Sequence, residues 1–175
     1  MKTTRREPPA DRHVRQLQGL HKLVATLPAY AGELGADVQH LPEERLLERS
    51  PTRPAPRIDA LNMATIYGER TDGCGTVGCL AGLTILAYPE EAAEVRSRIA
   101  RERKVSERII SMFEVATCVL GLDEETRDAL FFGLGTDLAE DFVKVPKRVV
   151  LAALDRTIAG ASGTAIWHGT GTTAR

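Results

Sequence analysis

The apolar residues of this chain recur three and four positions apart, in segments closed by caps, glycines and prolines. That spacing constrains the fold more than any other feature. Val14, Leu17, Leu20, Leu23, Val24 and Leu27 fall on one helical face, with Asp11 able to cap the start and Pro28 marking the stop. Pro89 suits a first helical position, and Glu90, Glu91 and Glu94 suit the positive end of a macrodipole, which predicts a helix through Arg103. Ser106 and Glu107 open a further pattern in which Ile109, Ile110, Phe113, Ala116, Thr117 and Leu120 share a face, with Gly121 as its left-handed terminator. Asp123 caps a short helix through Phe132. Pro146 opens a last one with Val149, Val150, Ala153, Leu154 and Ile158 inward, closed by Gly160.

The expected fold is therefore mainly α, a compact bundle of about five to seven helices with at most a short β element near 57–67. In that window Leu61, Met63 and Thr65 alternate with Asn62 and Ala64. The 175 residues, 43% of them apolar, suffice for one buried core. Residues 1–10, with Lys2, Arg5, Arg6, Pro8 and Pro9, read as a flexible arm, and 11–160 as a single helical domain. Within it, N-terminal helices span 11–49. A connector at 50–57 holds Pro51, Pro54 and Pro56, and the main body covers 58–160. Residues 161–175 are rich in glycine and threonine, with only Ile166 and Trp167 as anchors, and are expected to form a flexible tail. No internal repeat implies a solenoid.

A net charge of −1 gives the molecule no overall pull toward nucleic acid or an anionic membrane. Aromatic residues, at 5%, offer little surface for stacking bases. The longest apolar run, Val77–Tyr88, is too short to span a bilayer. Three cysteines, an odd number without the dense spacing of a secreted scaffold, point to a reducing compartment, so the cytoplasm of a bacterial host is the expected location.

The strongest local motif is Asp72-Gly-Cys-Gly-Thr-Val-Gly-Cys-Leu-Ala-Gly82. A glycine-rich bend feeding a helix start, with Thr76 as N-cap, would leave amide hydrogens free to hold a phosphate or carboxylate. The expected ligand-binding set is Asn62, Gly73, Cys74, Gly75, Thr76, Val77, Gly78 and Cys79. The same geometry would lower the pKa of a thiol and make Cys74 or Cys79 a nucleophile. The structural alternative is that Gly78 and Gly82, one turn apart, let another helix approach while Cys79 is buried as a small apolar residue. The turn is followed by a single histidine, His168, as a possible base; His13, His21 and His40 precede it, and His13 and His21 read as a polar helix edge. A papain-like Cys-Gly-x-Cys-Trp spacing is not matched. Cys74 and Cys79 do not form a zinc-type pair either, so no metal and no cofactor are expected.

The stretch Leu61-Asn-Met-Ala-Thr, a short polar insertion, and then Cys74-Gly-Thr-Val-Gly-Cys-Leu-Ala-Gly82 resembles small, poorly characterised phage and bacterial proteins. Those carry an Asp/Asn-Met-Ser-Thr segment before Cys-Gly-Thr-x-x-Cys-x-Ala-Gly. Val119-Leu-Gly-Leu-Asp-Glu-Glu-Thr-Arg-Asp-Ala-Leu-Phe, followed by the helix at Pro146, is similar to that group's Leu-Gly-Leu…Leu-Phe arrangement. The resemblance spans roughly Arg57–Gly160. It departs at Ile66-Tyr67, where a tryptophan often follows, and at Gly78, where alanine is common. It implies a phage- or bacterium-encoded helical protein and assigns no activity.

One dense basic patch remains: Arg96, Arg98, Arg101, Arg103, Lys104 and Arg108. Glu90, Glu91, Glu94, Glu102 and Glu107 are interleaved with it, which favours local ion pairs over a nucleic-acid footprint. The expected role is a binding or interaction protein, an inhibitor or accessory protein, meeting a protein partner or a small anionic ligand, without a membrane. The alternatives are a cysteine-dependent enzyme using Cys74 or Cys79 with His168, and an assembly subunit forming a homo-oligomer through its last two helices.

Overall fold

Prolines, left-handed residues and short polar caps divide the chain into helices. The computed structural model describes residues 9–28, 38–40, 59–61, 63, 68–70, 76–134 and 145–168. Among them run six α-helices: α1 (Pro9–Thr26), α2 (Leu80–Ala87), α3 (Pro89–Arg103), α4 (Met112–Leu120), α5 (Glu124–Phe132) and α6 (Lys147–Ile158). Two 3-10 turns, Glu107–Ile109 and Gly163–Trp167, complete the helical part, and the protein is mainly helical as its periodicity predicts.

The core is built around α2 and α4. Six consecutive residues of α2, Leu80 through Ile85, are buried, so this helix meets solvent only at its C-terminal end. Its hydroxyl is satisfied internally, Thr84 Oγ1 donating to the Leu80 carbonyl at 2.7 Å. On α4, Met112, Val115, Ala116, Val119 and Leu120 are buried, and the helix touches α1, α2, α3 and α5. Helix α1 packs chiefly on α6, and the inward residues are Leu17, Leu20 and Val24 on one and Val149, Val150, Ala153 and Leu154 on the other. Lys147 Nζ donates to the carbonyls of Ala25 (3.2 Å) and Leu27 (2.7 Å), placing a cation on the negative end of α1. Of the buried polar residues, Thr84, Arg96 and Thr126 have partners within the fold, while the Gln16 carboxamide meets no protein partner.

Four short strands form a sheet in the order β1 (Val38–His40), β3 (Gly68–Arg70), β4 (Thr76–Gly78) and β2 (Ala60–Leu61). The β1–β3 and β3–β4 pairs are antiparallel and β2–β4 is parallel. Strand β2 lies inside the window that the alternation singles out, and Met63 just beyond it is buried. The other three lie outside that window because a strand of three residues is too short to display a period of two. Strand β1 stands within the region expected to hold N-terminal helices, where Gly32 and Gly35 already weaken a helical pattern. The Pro-rich connector at 50–57 lies outside the described residues.

Three boundaries differ from expectation, each for a local reason. Helix α1 begins at Pro9 rather than Asp11, since proline loses nothing at a first helical position. Ser106 heads only the 3-10 turn, and α4 starts later, where Ser111 Oγ accepts from the Phe113 amide at 3.2 Å. Ile109, expected on the inner face, is consequently 69% exposed. The third difference is at the C-terminus, where the expected flexible tail begins as part of the core. Ile166 and Trp167 are buried on the 3-10 turn against α5 and α6. Trp167 Nε1 donates to the Ala129 carbonyl at 2.9 Å, the Gly163 amide to Thr126 Oγ1 at 2.8 Å, and Arg156 to the Ile166 carbonyl at 3.0 Å. Two large apolar side chains and these bonds anchor the segment, although its average composition is that of a linker.

Trp167→Ala is expected to destabilise the protein by about 3–5 kcal/mol in urea unfolding, as for a buried aromatic truncated in a core. The neighbouring His168→Ala, at an exposed position, should change stability by no more than about 0.5 kcal/mol.

Candidate functional site

Of the set expected to bind an anion, Asn62, Gly73, Cys74 and Gly75 lie outside the described residues. Thr76, Val77 and Gly78 are β4, an inner strand of the sheet, paired Glu69↔Thr76 and Gly68↔Val77 on one side and Ala60↔Val77 and Leu61↔Gly78 on the other. Thr76 is therefore not the N-cap. A strand intervenes between the glycine turn and the helix, and the cap is Cys79, whose side chain makes no capping bond. The first turn of α2, Leu80, Ala81 and Gly82, is buried together with Gly78 and Cys79. Cys79 is 2% exposed, while His168 faces solvent at the end of the C-terminal 3-10 turn. A substrate has no open route to the Cys79 thiol. Cys118 is half-buried on α4; burial pushes its thiol above the ordinary value, against the opposing effect of Arg98, which hydrogen-bonds it.

The basic patch resolves into structural contacts. Arg96 is 7% exposed and its Nε donates to the Glu107 carbonyl at 2.7 Å, pinning the 3-10 turn to α3. Arg103 grips Glu114 with two nitrogens, Arg98 lies 4.0 Å from Glu102, and Arg101 Nε donates to the Ser97 carbonyl at 3.3 Å. Lys104, in the left-handed conformation at the C-cap of α3, and Arg108 remain at the surface. Of the interleaved acids, Glu102 stands beside Arg98 and the Glu107 backbone carbonyl holds Arg96, while Arg103 is held by Glu114 from α4.

Among the described residues, a cavity lies elsewhere. An open cleft of about 330 Å3 lies where α1 meets the α4–α5 corner and the end of α6. Leu17 and Leu120 supply apolar wall, and Asp123, Thr126, Thr157 and Ser162 supply polar atoms. Helix α4 ends at Gly121 with φ +66°, a left-handed residue whose amide donates to the Thr117 carbonyl and turns the chain toward α5. The His13 ring lies directly over Gly121, in the space a Cβ would need. Asp123 follows as the N-cap of α5, its Oδ1 accepting from the Thr126 amide at 2.7 Å. Helix α6 ends across the cleft, with Gly160 at φ +91° and no atom within 4 Å of where its Cβ would stand.

The lining residues include hydrogen-bond acceptors. Thr157 Oγ1 donates backward to the Ala153 carbonyl at 2.9 Å, which keeps its lone pairs available. Partial burial, reinforced by Arg12, lowers the His13 pKa below 6.5, so the imidazole is neutral at pH 7 and offers an acceptor nitrogen. The sequence marks His13 as a polar helix edge, and Gly121, Asp123 and Gly160 as helix punctuation. Those readings describe their local roles; no spacing in the chain links residue 13 to 121 and 160. Among the described residues no three His, Cys, Asp or Glu side chains converge as metal ligands would, and no helix is long and apolar enough to cross a membrane. Compared with known protein families, with curated proteins and with solved structures, the chain matches none.

Because the folded state disfavours protonated His13, this residue lets stability fall as pH drops through 6.5 toward its lowered folded value, and contributes no further change below that. His13→Gln should flatten that part of the curve, read as the difference in unfolding free energy between variant and parent from pH 8 to pH 5. Gly121→Ala should cost about 1–2 kcal/mol from the left-handed backbone alone, and displacement of the His13 ring should appear as a change in its NMR signals.

Proposed function

We propose that this protein is a binding domain whose ligand seat is the cleft between α1, the α4–α5 corner and the end of α6. The observation that carries this reading is the cleft itself: it is open, combines apolar and polar lining residues, and lies between helix ends packed on the core. A volume of about 330 Å3 is at the small end of ligand sites, suited to a compact molecule or to one side chain of a partner. Binding without chemical conversion is favoured because the cleft holds no cysteine, and the serine and threonines in it have no histidine hydrogen-bonded as a base among the described contacts. An inhibitor or accessory role, acting by occupying a partner, is consistent with such a domain.

A cysteine-dependent activity would need Cys74, since Cys79 is enclosed. Assembly through the last two helices would need apolar faces that are already buried: Ala129, Leu130 and Phe131 on α5, and Val149, Val150, Ala153 and Leu154 on α6.

A thermal-shift screen of small polar compounds tests the proposal. A ligand at 100 times its Kd should add about 2.7 kcal/mol, which for a domain of this size raises Tm by roughly 5–10 °C. Ala161→Trp, at a partly exposed cleft position, should abolish the shift while leaving the unliganded Tm within about 3 °C. A Tm that no compound moves, or a shift that Ala161→Trp leaves intact, would count against the cleft as the binding seat.

A further inference from the structure

We infer that the cleft selects a small organic cation, an alkylammonium or alkylguanidinium group, with its hydrocarbon stem on the apolar wall and its charge among the acceptors. The inference rests on the binding reading above and names the ligand chemistry of the same site.

Three independent features give the cleft its sign. The first is the Asp123 carboxylate, which lines it and has one oxygen engaged by the Thr126 amide. Two helix C-termini provide the second: Leu120 and Gly121 end α4, and Thr157 and Gly160 belong to the last turn of α6 and the step beyond it, all lining the cleft. A helix C-terminus acts as roughly half a negative charge, so the two together equal about one further carboxylate. The N-terminus of α5 brings the opposite sign, and Asp123 is the residue that caps it. Third, and outside the lining itself, Glu125 lies against Gly163, immediately after the lining residue Ser162. Arg12, on the exposed side of α1, is the cation that acts on His13. Like Glu125 it does not line the cleft; of the lining residues Asp123 is the one with a full charge, so the lining itself is negative.

Hydrogen bonding points the same way. The Thr126 amide is taken by Asp123 and the Thr157 hydroxyl proton by Ala153, and Thr126 Oγ1 receives the Gly163 amide. What remains on the lining residues is acceptor capacity on the Asp123 carboxylate and Thr157 Oγ1, beside groups that can donate or accept: the hydroxyls of Thr126 and Ser162 and the neutral His13 ring. A ligand that brings donors and positive charge is matched to the Asp123 carboxylate, and an anion would meet that charge. Val14, Leu17, Leu120 and Leu122 then fit the methylene stem that such groups carry.

The test is a 15N NMR titration with n-butylammonium, n-butanol and butyrate, compounds alike in stem and different in charge. Saturable shifts at Gly121, Asp123 and Thr157 with the ammonium, at least tenfold weaker with the other two, are the expected result. Asp123→Asn should weaken the ammonium about tenfold while keeping its Tm close to the parent's, because asparagine caps a helix as well as aspartate does. Equal or tighter binding of butanol or butyrate in the cleft would overturn the cation inference and leave the binding seat standing. No saturable shift in the cleft with any of the three would overturn both. A free small cation and a partner's side chain share this chemistry. Tighter binding of 1,4-diaminobutane than of a blocked Gly-Lys-Gly or Gly-Arg-Gly peptide would identify the first, and the reverse order the second.

Discussion

Everything else in the structure hangs on the burial of α4 against α2. Met112, Val115, Ala116 and Val119 on α4, and Leu80, Ala81, Thr84 and Ile85 on α2, are all completely removed from solvent. Burying a side chain of the valine or leucine class is worth about 1.5–3 kcal/mol, so this contact outweighs any ion pair at the surface. It also fixes a position. Because α4 cannot slide or rotate against α2, the glycine at its end and the turn into α5 are held at one place beside α1, and the cleft inherits that rigidity.

Around this centre the distant parts of the chain are tied by hydrogen bonds that end on backbone carbonyls. Tyr88 Oη donates to the Gln16 carbonyl at 2.7 Å, Lys147 Nζ to the end of α1, and Trp167 Nε1 to Ala129 in α5. Each joins a side chain from one helix junction or terminus to an element far away in sequence. Buried polar groups must be paired or they destabilise, and here the pairing also closes the bundle: α1 is held at its middle by Tyr88 and at its end by Lys147. Surface charge pairs such as Arg98 with Glu102 at 4.0 Å add little to this.

The helices were legible in the sequence because their signals are local. Gly121 and Gly133 end α4 and α5 in the left-handed region, Asp123 caps α5, and Pro89 and Pro146 stand at the starts of α3 and α6. What was not legible depended on partners. The three-residue strands exist only through pairing, and Thr76 gives no sign in sequence that it lies in one. Gly163–Trp167 reads as linker until Trp167 is seen inside α5 and α6. The basic run at Arg96–Arg108 looks like a charged face, yet Arg96 is a core pin whose guanidinium reaches a carbonyl eleven residues on. The glycine- and cysteine-rich segment 72–82 is the densest motif in the sequence, and its described portion is a strand and the start of a buried helix.

The cleft illustrates why local and functional readings of one residue can both hold. A helix must end, and ending it leaves carbonyls without intrahelical partners and calls for a glycine that bends the chain. The ends of α4 and α6 both line the cleft, so the negative ends of two helices border a common space. Asp123, placed there to satisfy the amides of α5, brings a full charge with more acceptor capacity than its single bond to Thr126 consumes. Packing then decides whether such a space fills or stays open. His13 covers Gly121 and closes one flank, while nothing stands over Gly160 on the other. The site thus arises from helix termination and from a single missing neighbour, which is why it leaves no motif in the sequence.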